Sequence, residues 1–290
     1  MAEEGQGGLA PGLYLVATPI GNARDITLRA LDVLARADAI AAEDTRETLK
    51  LMEMHGLARS GRPVIAYHDR NAARVRPQIE AWLAEGRAVA YCTDAGTPLV
   101  ADPGFRLVEA AVAAEHPLTA LPGPCAAVAA LALSGLPTDR FLFAGFLPPK
   151  RAARRRALEA LAAVPAPLVL YESPHRVVEA VADMAAVLGE ARPAALAREL
   201  TKRFETVRRM TLGDLAAALA AEGAPKGEIV LLAGPPVAAP PPEARDVDAA
   251  LDEALGRLSL RDAAAEVAAD FGLARREVYA RALERSKGKD

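Results

Sequence analysis

The chain has 290 residues, of which 52% are hydrophobic and 4% aromatic, and its formal charge is −3. Its longest uncharged run, residues 116–138, contains four prolines, so it lacks the roughly 20 consecutive apolar residues that a membrane helix needs. Two cysteines are too few for a disulfide framework or a cysteine zinc site, and no metal is expected.

The first twelve residues contain two glutamates and no apolar segment, which is not the pattern of a signal peptide. We therefore expect a short disordered tail at residues 1–12 and a cytoplasmic protein. The slightly acidic overall charge does not by itself favour a nucleic-acid binder.

The first part of the chain alternates short apolar runs with helical patterns. Strands are predicted at residues 13–18, 39–42, 64–67, 88–93 and 118–121, and helices at residues 28–35, 73–85 and 105–114. This order predicts an N-terminal α/β domain over residues 13–122 with a largely parallel sheet.

A second alternating set predicts another α/β domain over residues 123–234. Helices are predicted at residues 126–133, 151–163, 176–188 and 212–221, and strands at residues 141–146, 168–171, 194–200, 205–211 and 229–233. We expect a cleft between the two α/β domains.

Residues 235–290 differ in composition from the two predicted α/β domains. Five of the eight residues 235–242 are proline, which predicts a stiff linker over residues 235–244. Helical patterns follow within residues 245–290, at 247–258, 260–271 and 274–285, with Ser259 as an N-cap and Gly272 as a breaker. The spacing allows a helix-turn-helix or a plain helical hairpin, and spacing alone favours the hairpin.

Two strand ends carry residues suited to ligand binding, because open α/β sheets bind ligands beyond the carboxyl ends of their strands. One is followed by DAGTP at residues 94–98, where Asp94 could accept hydrogen bonds from ribose hydroxyls or cap a tight turn. The other is LPGPCAA at residues 121–127, where a glycine and small side chains open a helix. There is no GxxxxGK[ST] and no GxGxxG, so the usual phosphate and dinucleotide loops have no support.

Two charged segments also follow predicted strands. Ser173 in YESPHR (residues 171–176) fits an N-cap, which leaves Glu172, His175 and Arg176 unexplained. ARELTKRFE (residues 197–205) holds five charges and fits equally a solvated loop or a site.

Basic residues are concentrated at residues 150–156, 198–209 and 271–289, although the whole chain is acidic. Each cluster alone could be a solvated helix face. Together they favour a phosphate-rich partner as much as they favour solvated surfaces.

Seven motifs in order resemble the bacterial ribosomal RNA small-subunit methyltransferase I family. They are LYLVATPIGN (13–22), AEDTR (42–46), DAGTP (94–98), LPGPCA (121–126), GFLP (145–148), YESPHR (171–176) and ARELTK (197–202). The resemblance covers residues 13–233, and the C-terminal helices are similar to that family's helix-turn-helix extension. Thr93 stands where the family pattern has serine.

The resemblance implies two α/β domains of the tetrapyrrole-methylase fold, S-adenosylmethionine in the cleft, and a homodimer. It implies methylation of a cytidine ribose 2′-hydroxyl in the decoding region of 16S rRNA, with the small ribosomal subunit as partner. By motif, the cofactor site would be lined by Asp94, Ala95, Gly96, Leu99, Gly123, Cys125, Ala126 and Ala197, with Gly234 as a weaker candidate.

A ribose hydroxyl is a poor nucleophile, so the reaction needs a base or a cation that stabilises the alkoxide. We predict Glu199 with Lys202 as the catalytic pair; Glu172, His175, Asp44 and Asp69 are other candidates. Predicted RNA contacts are Lys150, Arg151, Arg154, Arg155, Arg156, Arg198 and Arg203. Two alternatives remain: a corrin-precursor C-methyltransferase on the same fold, and a ribosome-assembly factor without methyl transfer.

Overall fold

A computed structural model describes residues 8–100, 104–237 and 244–287. The chain divides into two compact units, with the boundary after Pro236. Most of the predicted N-terminal tail (residues 1–7) and of the predicted proline-rich linker (residues 238–243) lies outside the described residues. No helix among the described residues is long and apolar enough to cross a membrane.

The N-terminal sheet has five strands, and all its neighbouring strands run parallel, as the alternating pattern predicted. The strands are β1 (Gly12–Val16), β2 (Ala39–Ala42), β3 (Val64–Ala66), β4 (Ala88–Cys92) and β5 (Leu118–Leu121), in the order β3-β2-β4-β1-β5. Every residue of β2 and β4 is buried, which explains why they read as unbroken apolar runs.

Four helices accompany this sheet: α1 (Leu28–Arg36), α2 (Thr45–Met54), α3 (Ala72–Ala84) and α4 (Phe105–Ala113). Helix α2 was not predicted, because within its polar sequence TRETLKLMEM only Thr48 and Met52 are buried. A local signal was present: Asp44 caps the helix by accepting from the Arg46 amide, and Glu47 stands three residues later.

The second sheet is mixed. Its strands are β6 (Leu142–Phe146), β7 (Leu168–Glu172), β8 (Pro193–Arg198), β9 (Thr206–Thr211) and β10 (Ile229–Ala233), in the order β6-β7-β10-β8-β9. Only β6 and β7 are parallel; the other neighbouring pairs are antiparallel. Strand β8 ends at Arg198, so Glu199 and Leu200 lie in a turn and not in the predicted strand.

The second sheet is accompanied by α5 (Ala126–Ser134), α6 (Arg151–Leu161), α7 (Val177–Leu188) and α8 (Leu212–Glu222). Helix α5 contributes Ala127, Ala130 and Leu131 to a core cluster with residues of β7, β8 and β10. Ile20, from the loop after β1, joins the same cluster. The loop at the end of the first sheet is therefore anchored against the second half of the unit.

The C-terminal unit contains the three predicted helices: α9 (Ala244–Leu255), α10 (Leu260–Asp270) and α11 (Arg275–Lys287). Ser259 caps α10 by accepting from the Asp262 amide, as predicted. The helices enclose their own apolar core, which includes Leu251, Val267 and Val278. Ion pairs from Arg281 to Asp248 and from Arg285 to Asp252 tie α11 to α9.

Candidate active site

A cavity of about 660 Å³ lies where the ends of the two sheets face each other; we call it the first cavity. It is lined by Ile20, Ala95, Gly96, Thr97, Val100, Ala126, Phe146, Tyr171, Glu172, Ser173, Pro174, Ala197, Glu199, Leu200, Lys202, Gly227, Glu228, Ile229 and Val230. Both α/β halves contribute, so neither sheet alone could form it.

The predicted cofactor residues do not all line the same cavity in the structure. Ala95, Gly96, Ala126 and Ala197 line the first cavity, whereas Asp94 lines a neighbouring one. Leu99, Gly123 and Cys125 line neither. Gly123 instead packs against Ala17, where a β-carbon would lie 2.7 Å from the Ala17 β-carbon.

The loop after β4 is held by the loop after β1. The backbones of Gly96 and Thr18 exchange two hydrogen bonds of 3.0 Å, and the Thr93 hydroxyl donates to the Gly96 carbonyl at 3.0 Å. Gly96 has φ +86°, a conformation that favours glycine. An Asp94 carboxylate oxygen accepts from the Asp44 amide at 2.8 Å, which ties this loop to the start of α2.

Glu199 and Lys202, which the sequence analysis predicts as the catalytic pair, both lie on the wall of the first cavity. The Lys202 ammonium lies 3.0 Å from Glu199 Oε1 and 3.1 Å from Glu228 Oε2. Glu199 Oε1 also accepts from the Glu228 amide at 2.9 Å. One ammonium is therefore held between two carboxylates at the edge of the cavity.

These contacts keep both members of the pair charged. The Glu228 backbone amide and the Lys202 ammonium hold the pKa of Glu199 below its ordinary value. Burial opposes the charge of Lys202, but its bonds to Glu199 and Glu228 raise the pKa of Lys202 overall. Glu199 is consequently a weak base, and Lys202 is a persistent cation.

Two glycines allow this arrangement. A β-carbon on Gly21 would lie 2.4 Å from Lys202 Cγ and 2.8 Å from Thr201 Oγ1, so the loop after β1 touches the Lys202 turn directly. Gly227 has φ +100°, and a β-carbon there would lie 2.5 Å from the Glu199 carboxyl carbon. Larger residues at either position would displace Glu199 or Lys202.

The other proposed bases are less well placed. The Glu172 side chain lines the first cavity but is buried and paired with Arg176 at 2.7 Å. Asp44 is bound by the Arg46 guanidinium, which lowers the pKa of Asp44 to about 2. His175 and Asp69 line neither cavity.

Tyr171 is a lining residue that the sequence analysis did not select. Its hydroxyl accepts from the Ala127 amide at 3.3 Å, at the start of α5. Burial, helped by the neighbouring Cys125, raises the pKa of Tyr171 to about 12, so the phenol stays neutral. The sequence signals were its position at the end of a strand and its place in the YESPHR motif.

A second cavity of about 300 Å³ adjoins the first. Its lining includes the loop after β1, Thr93 to Ala95, and Glu47, Thr48, Lys50, Leu51 and Met54 of α2. The two cavities share Ile20, Ala95, Lys202 and Glu228. Lys202 therefore stands at the junction of the two cavities.

One residue of the basic cluster on α6 is not available for the RNA contact predicted for it. Arg154 is 1% exposed, and its guanidinium lies 2.8 Å from Asp183 of α7. It cannot reach a phosphate in this structure, so its prediction as an RNA contact is wrong. Lys150, Arg151 and Arg156 are exposed. Arg151 and the half-buried Arg155 lie 3.3 and 3.9 Å from Asp183.

The remaining basic residues also divide between structural and exposed roles. Arg198 donates to Thr206, to the Lys226 carbonyl and to the Phe204 carbonyl, and so holds together the turn that carries Lys202. Arg203 is exposed and lies 5.5 Å from the centre of the exposed Phe204 ring.

Comparisons with known proteins agree with the fold. A sequence model of the Tetrapyrrole (Corrin/Porphyrin) Methylases matches residues 12–216, and one of the RsmI C-terminal HTH domain matches residues 241–286. The second match supports the helix-turn-helix alternative over the plain hairpin that spacing favoured.

Solved structures show the same fold at low sequence identity. Uroporphyrin-III-C-methyltransferase from Thermus thermophilus has a TM-score of 0.53 at 24% identity, covering 77% of this chain and 94% of that one. Diphthine synthase has a TM-score of 0.58 at 16% identity, covering 77% and 89%. A Thermus thermophilus uroporphyrin-III C-methyltransferase complexed with S-adenosyl homocysteine has a TM-score of 0.53 at 18% identity, covering 77% and 97%.

Curated relatives are much more similar. The ribosomal RNA small subunit methyltransferase I of Mesorhizobium japonicum is 49% identical, covering 95% of this chain and 92% of that protein. The protein of the same name from Escherichia coli O157:H7 is 44% identical, covering 94% of each. The chain therefore belongs to the tetrapyrrole methylases and, within them, to the ribosomal RNA small subunit methyltransferase I family.

Proposed function

We propose that the protein transfers a methyl group from S-adenosylmethionine to the ribose 2′-hydroxyl of a cytidine in the decoding region of 16S rRNA. The observation that carries the proposal is the Lys202 ammonium, held between Glu199 and Glu228 where the two cavities meet. The names of the curated relatives support the small ribosomal subunit as substrate.

The first cavity fits S-adenosylmethionine in size and lining. Its volume of about 660 Å³ lies within the range of small-molecule sites. Ala95, Ala126 and Ala197 leave room beside the backbone, and Leu200 and Val230 offer apolar surface to an adenine ring. Bound there, S-adenosylmethionine would supply an already activated methyl group.

The protein's own contribution is then alignment and charge stabilisation. Lys202 donates a hydrogen bond to the ribose oxygen and stabilises the negative charge that develops as the hydroxyl proton leaves to water in the open cleft. Glu199 positions Lys202, since its own low pKa makes it a poor proton acceptor. This assigns the catalytic role to Lys202 and a positioning role to Glu199.

The proposal is tested with purified protein, methyl-labelled S-adenosylmethionine and small subunits that lack this methylation. We expect label on one cytidine 2′-oxygen. Label on a base would contradict the proposed chemistry. Labelling of a corrin precursor, with none on the subunit, would identify the protein as a tetrapyrrole enzyme. Binding to the subunit without transfer would identify an assembly factor.

We also propose that the protein acts as a homodimer, which the family resemblance supports. Sedimentation equilibrium of the purified protein should give twice the mass of the 30.4 kDa chain. A mass of one chain at the working concentration of the enzyme would contradict this proposal.

A further inference from the structure

One wall of the second cavity is a face of α2 on which Leu51 is partly buried against the core and Met54 is exposed. Glu47, Lys50, Leu51 and Met54 follow each other at the i, i+3, i+4 and i+7 positions of α2, so they share one face. Met54 is 60% exposed, although it is a large apolar side chain beside a cavity. Such a face suits a ligand that has both apolar and charged parts.

The charges on this face are free to rearrange. Lys50 and Glu47 lie 3.7 Å apart, and both side chains are mostly exposed, so their attraction is weak. The other two carboxylates that line the cavity are already engaged: Asp94 accepts from the Asp44 amide, and Glu228 pairs with Lys202. Lys50 is therefore the cation that an incoming anion would meet at this wall.

The position of the cavity gives its occupant a role in the reaction. A methyl donor and its acceptor must meet with their reacting atoms about 3 Å apart. Of the predicted cofactor residues that line a cavity, Gly96, Ala126 and Ala197 line only the first, Ala95 lines both and Asp94 lines only the second. Because most of them face the first cavity, we assign the donor to it and the acceptor to the second cavity. The Lys202 ammonium lies in the wall that both share.

We propose that the second cavity receives a single unstacked nucleotide of the RNA, with its base against Leu51 and Met54 and a flanking phosphate at Lys50. The proposal rests on the function proposed above and adds the place of the acceptor. A volume of about 300 Å³ suits one small ligand and not a folded RNA segment. Sequence-specific proteins commonly bind RNA nucleotides that are splayed out of the stack.

The test is Met54→Trp, which fills the cavity from its exposed rim without touching the first cavity. We expect the KM for small subunits to rise about tenfold or more, while calorimetry shows unchanged affinity for S-adenosylmethionine without RNA. The matched control is Glu53→Trp, on the same helix but outside the cavity lining, which should leave KM unchanged.

Three outcomes would overturn the proposal. They are a normal KM for Met54→Trp, a similar rise in KM for Glu53→Trp, and a loss of S-adenosylmethionine affinity in Met54→Trp, which would assign the second cavity to the donor. In each case the unaltered protein still methylates the subunit, so the proposed function stands. If the unaltered protein transfers no methyl group to the subunit, the proposed function itself fails, and this inference fails with it.

Discussion

At the scale of single residues, the proposed chemistry depends on an ammonium that stays charged. Lys202 has two carboxylate neighbours, Glu199 and Glu228, within 3.1 Å. A neutral lysine would need a pKa lowered by burial or by another cation, and the contacts here act in the opposite direction. The residue is therefore suited to stabilise an anion and not to remove a proton.

We expect Lys202→Met to lower kcat by about 100-fold or more, the usual cost of removing a group that stabilises transition-state charge. Lys202→Arg should recover part of the loss, and S-adenosylmethionine affinity measured by calorimetry should stay within about twofold in both variants. Near-normal turnover by Lys202→Met would contradict the assignment.

The pH profile gives an independent check on this residue pair. The pKa of Lys202 is raised, so Lys202 loses its charge only as the pH rises through a value above the ordinary lysine pKa. The pKa of Glu199 is lowered, so Glu199 loses its charge only as the pH falls through a value below the ordinary glutamate pKa. The pair should therefore contribute no change in kcat between about pH 6 and about pH 9. If kcat instead rose tenfold per pH unit across this range, and if the rise were absent in Glu199→Gln, Glu199 would be a general base.

At the scale of elements, α6 and α7 are joined by a buried ion pair. Arg154 of α6 and Asp183 of α7 are 1% and 3% exposed, and their side chains lie 2.8 Å apart. A buried charge that loses its partner is costly, whereas replacing both charges with apolar groups is often neutral. The α6 cluster thus contains one structural arginine among residues that reach solvent.

We expect Arg154→Met to lower the free energy of unfolding by about 3 kcal/mol, at the low end for a broken buried pair, because Arg151 still contacts Asp183. Arg154→Met combined with Asp183→Leu should recover much of the loss in urea denaturation. Arg156→Met on the same helix is the control and should leave stability within about 0.5 kcal/mol. If Arg154→Met and Arg156→Met lowered the free energy of unfolding equally, burial of Arg154 would not be the cause of the destabilisation.

At the scale of the whole molecule, the formal charge of −3 conceals separate basic positions. Several arginines in the basic clusters are paired internally: Arg154 with Asp183, Arg281 with Asp248, and Arg285 with Asp252. The exposed residues of these clusters include Lys150, Arg151, Arg156 and Arg203 in the first unit, and Arg275 and Arg276 in the C-terminal unit. RNA binding should therefore use fewer phosphate contacts than the count of basic residues implies.

We expect Lys150→Glu combined with Arg156→Glu to weaken binding to the small subunit and to reduce the slope of log Kd against log salt by about two, one for each lost phosphate contact. Filter binding at several salt concentrations measures both. Arg87→Glu with Arg106→Glu makes the same charge change at arginines already paired with Glu85 and Glu109. An equal effect of this control would show that only net charge matters.

Most of the fold and part of the candidate site could be predicted from the amino-acid sequence. Alternating apolar runs gave both α/β halves and the three C-terminal helices, because strand and helix periods are local properties of the chain. The motifs that carry the family resemblance include Ala95, Gly96, Ala126, Ala197 and the Glu199–Lys202 pair, and the structure places all of them at the wall of the first cavity. Helix α2 was not predicted because six of the ten residues in its sequence TRETLKLMEM are polar or charged.

Other properties were decided only by the tertiary structure, because they depend on contacts between residues far apart in the chain. Arg154 is one of several basic residues in the sequence of α6, and only Asp183, 29 positions later, makes it structural. The charge states of Glu199 and Lys202 depend on Glu228, and the approach of Gly21 to the Lys202 turn depends on how the two halves pack. The sequence by itself determined the elements, the family and the neighbourhood of the site; the packing determined which residues face the cavities, since burial and charge pairing exist only once distant segments meet.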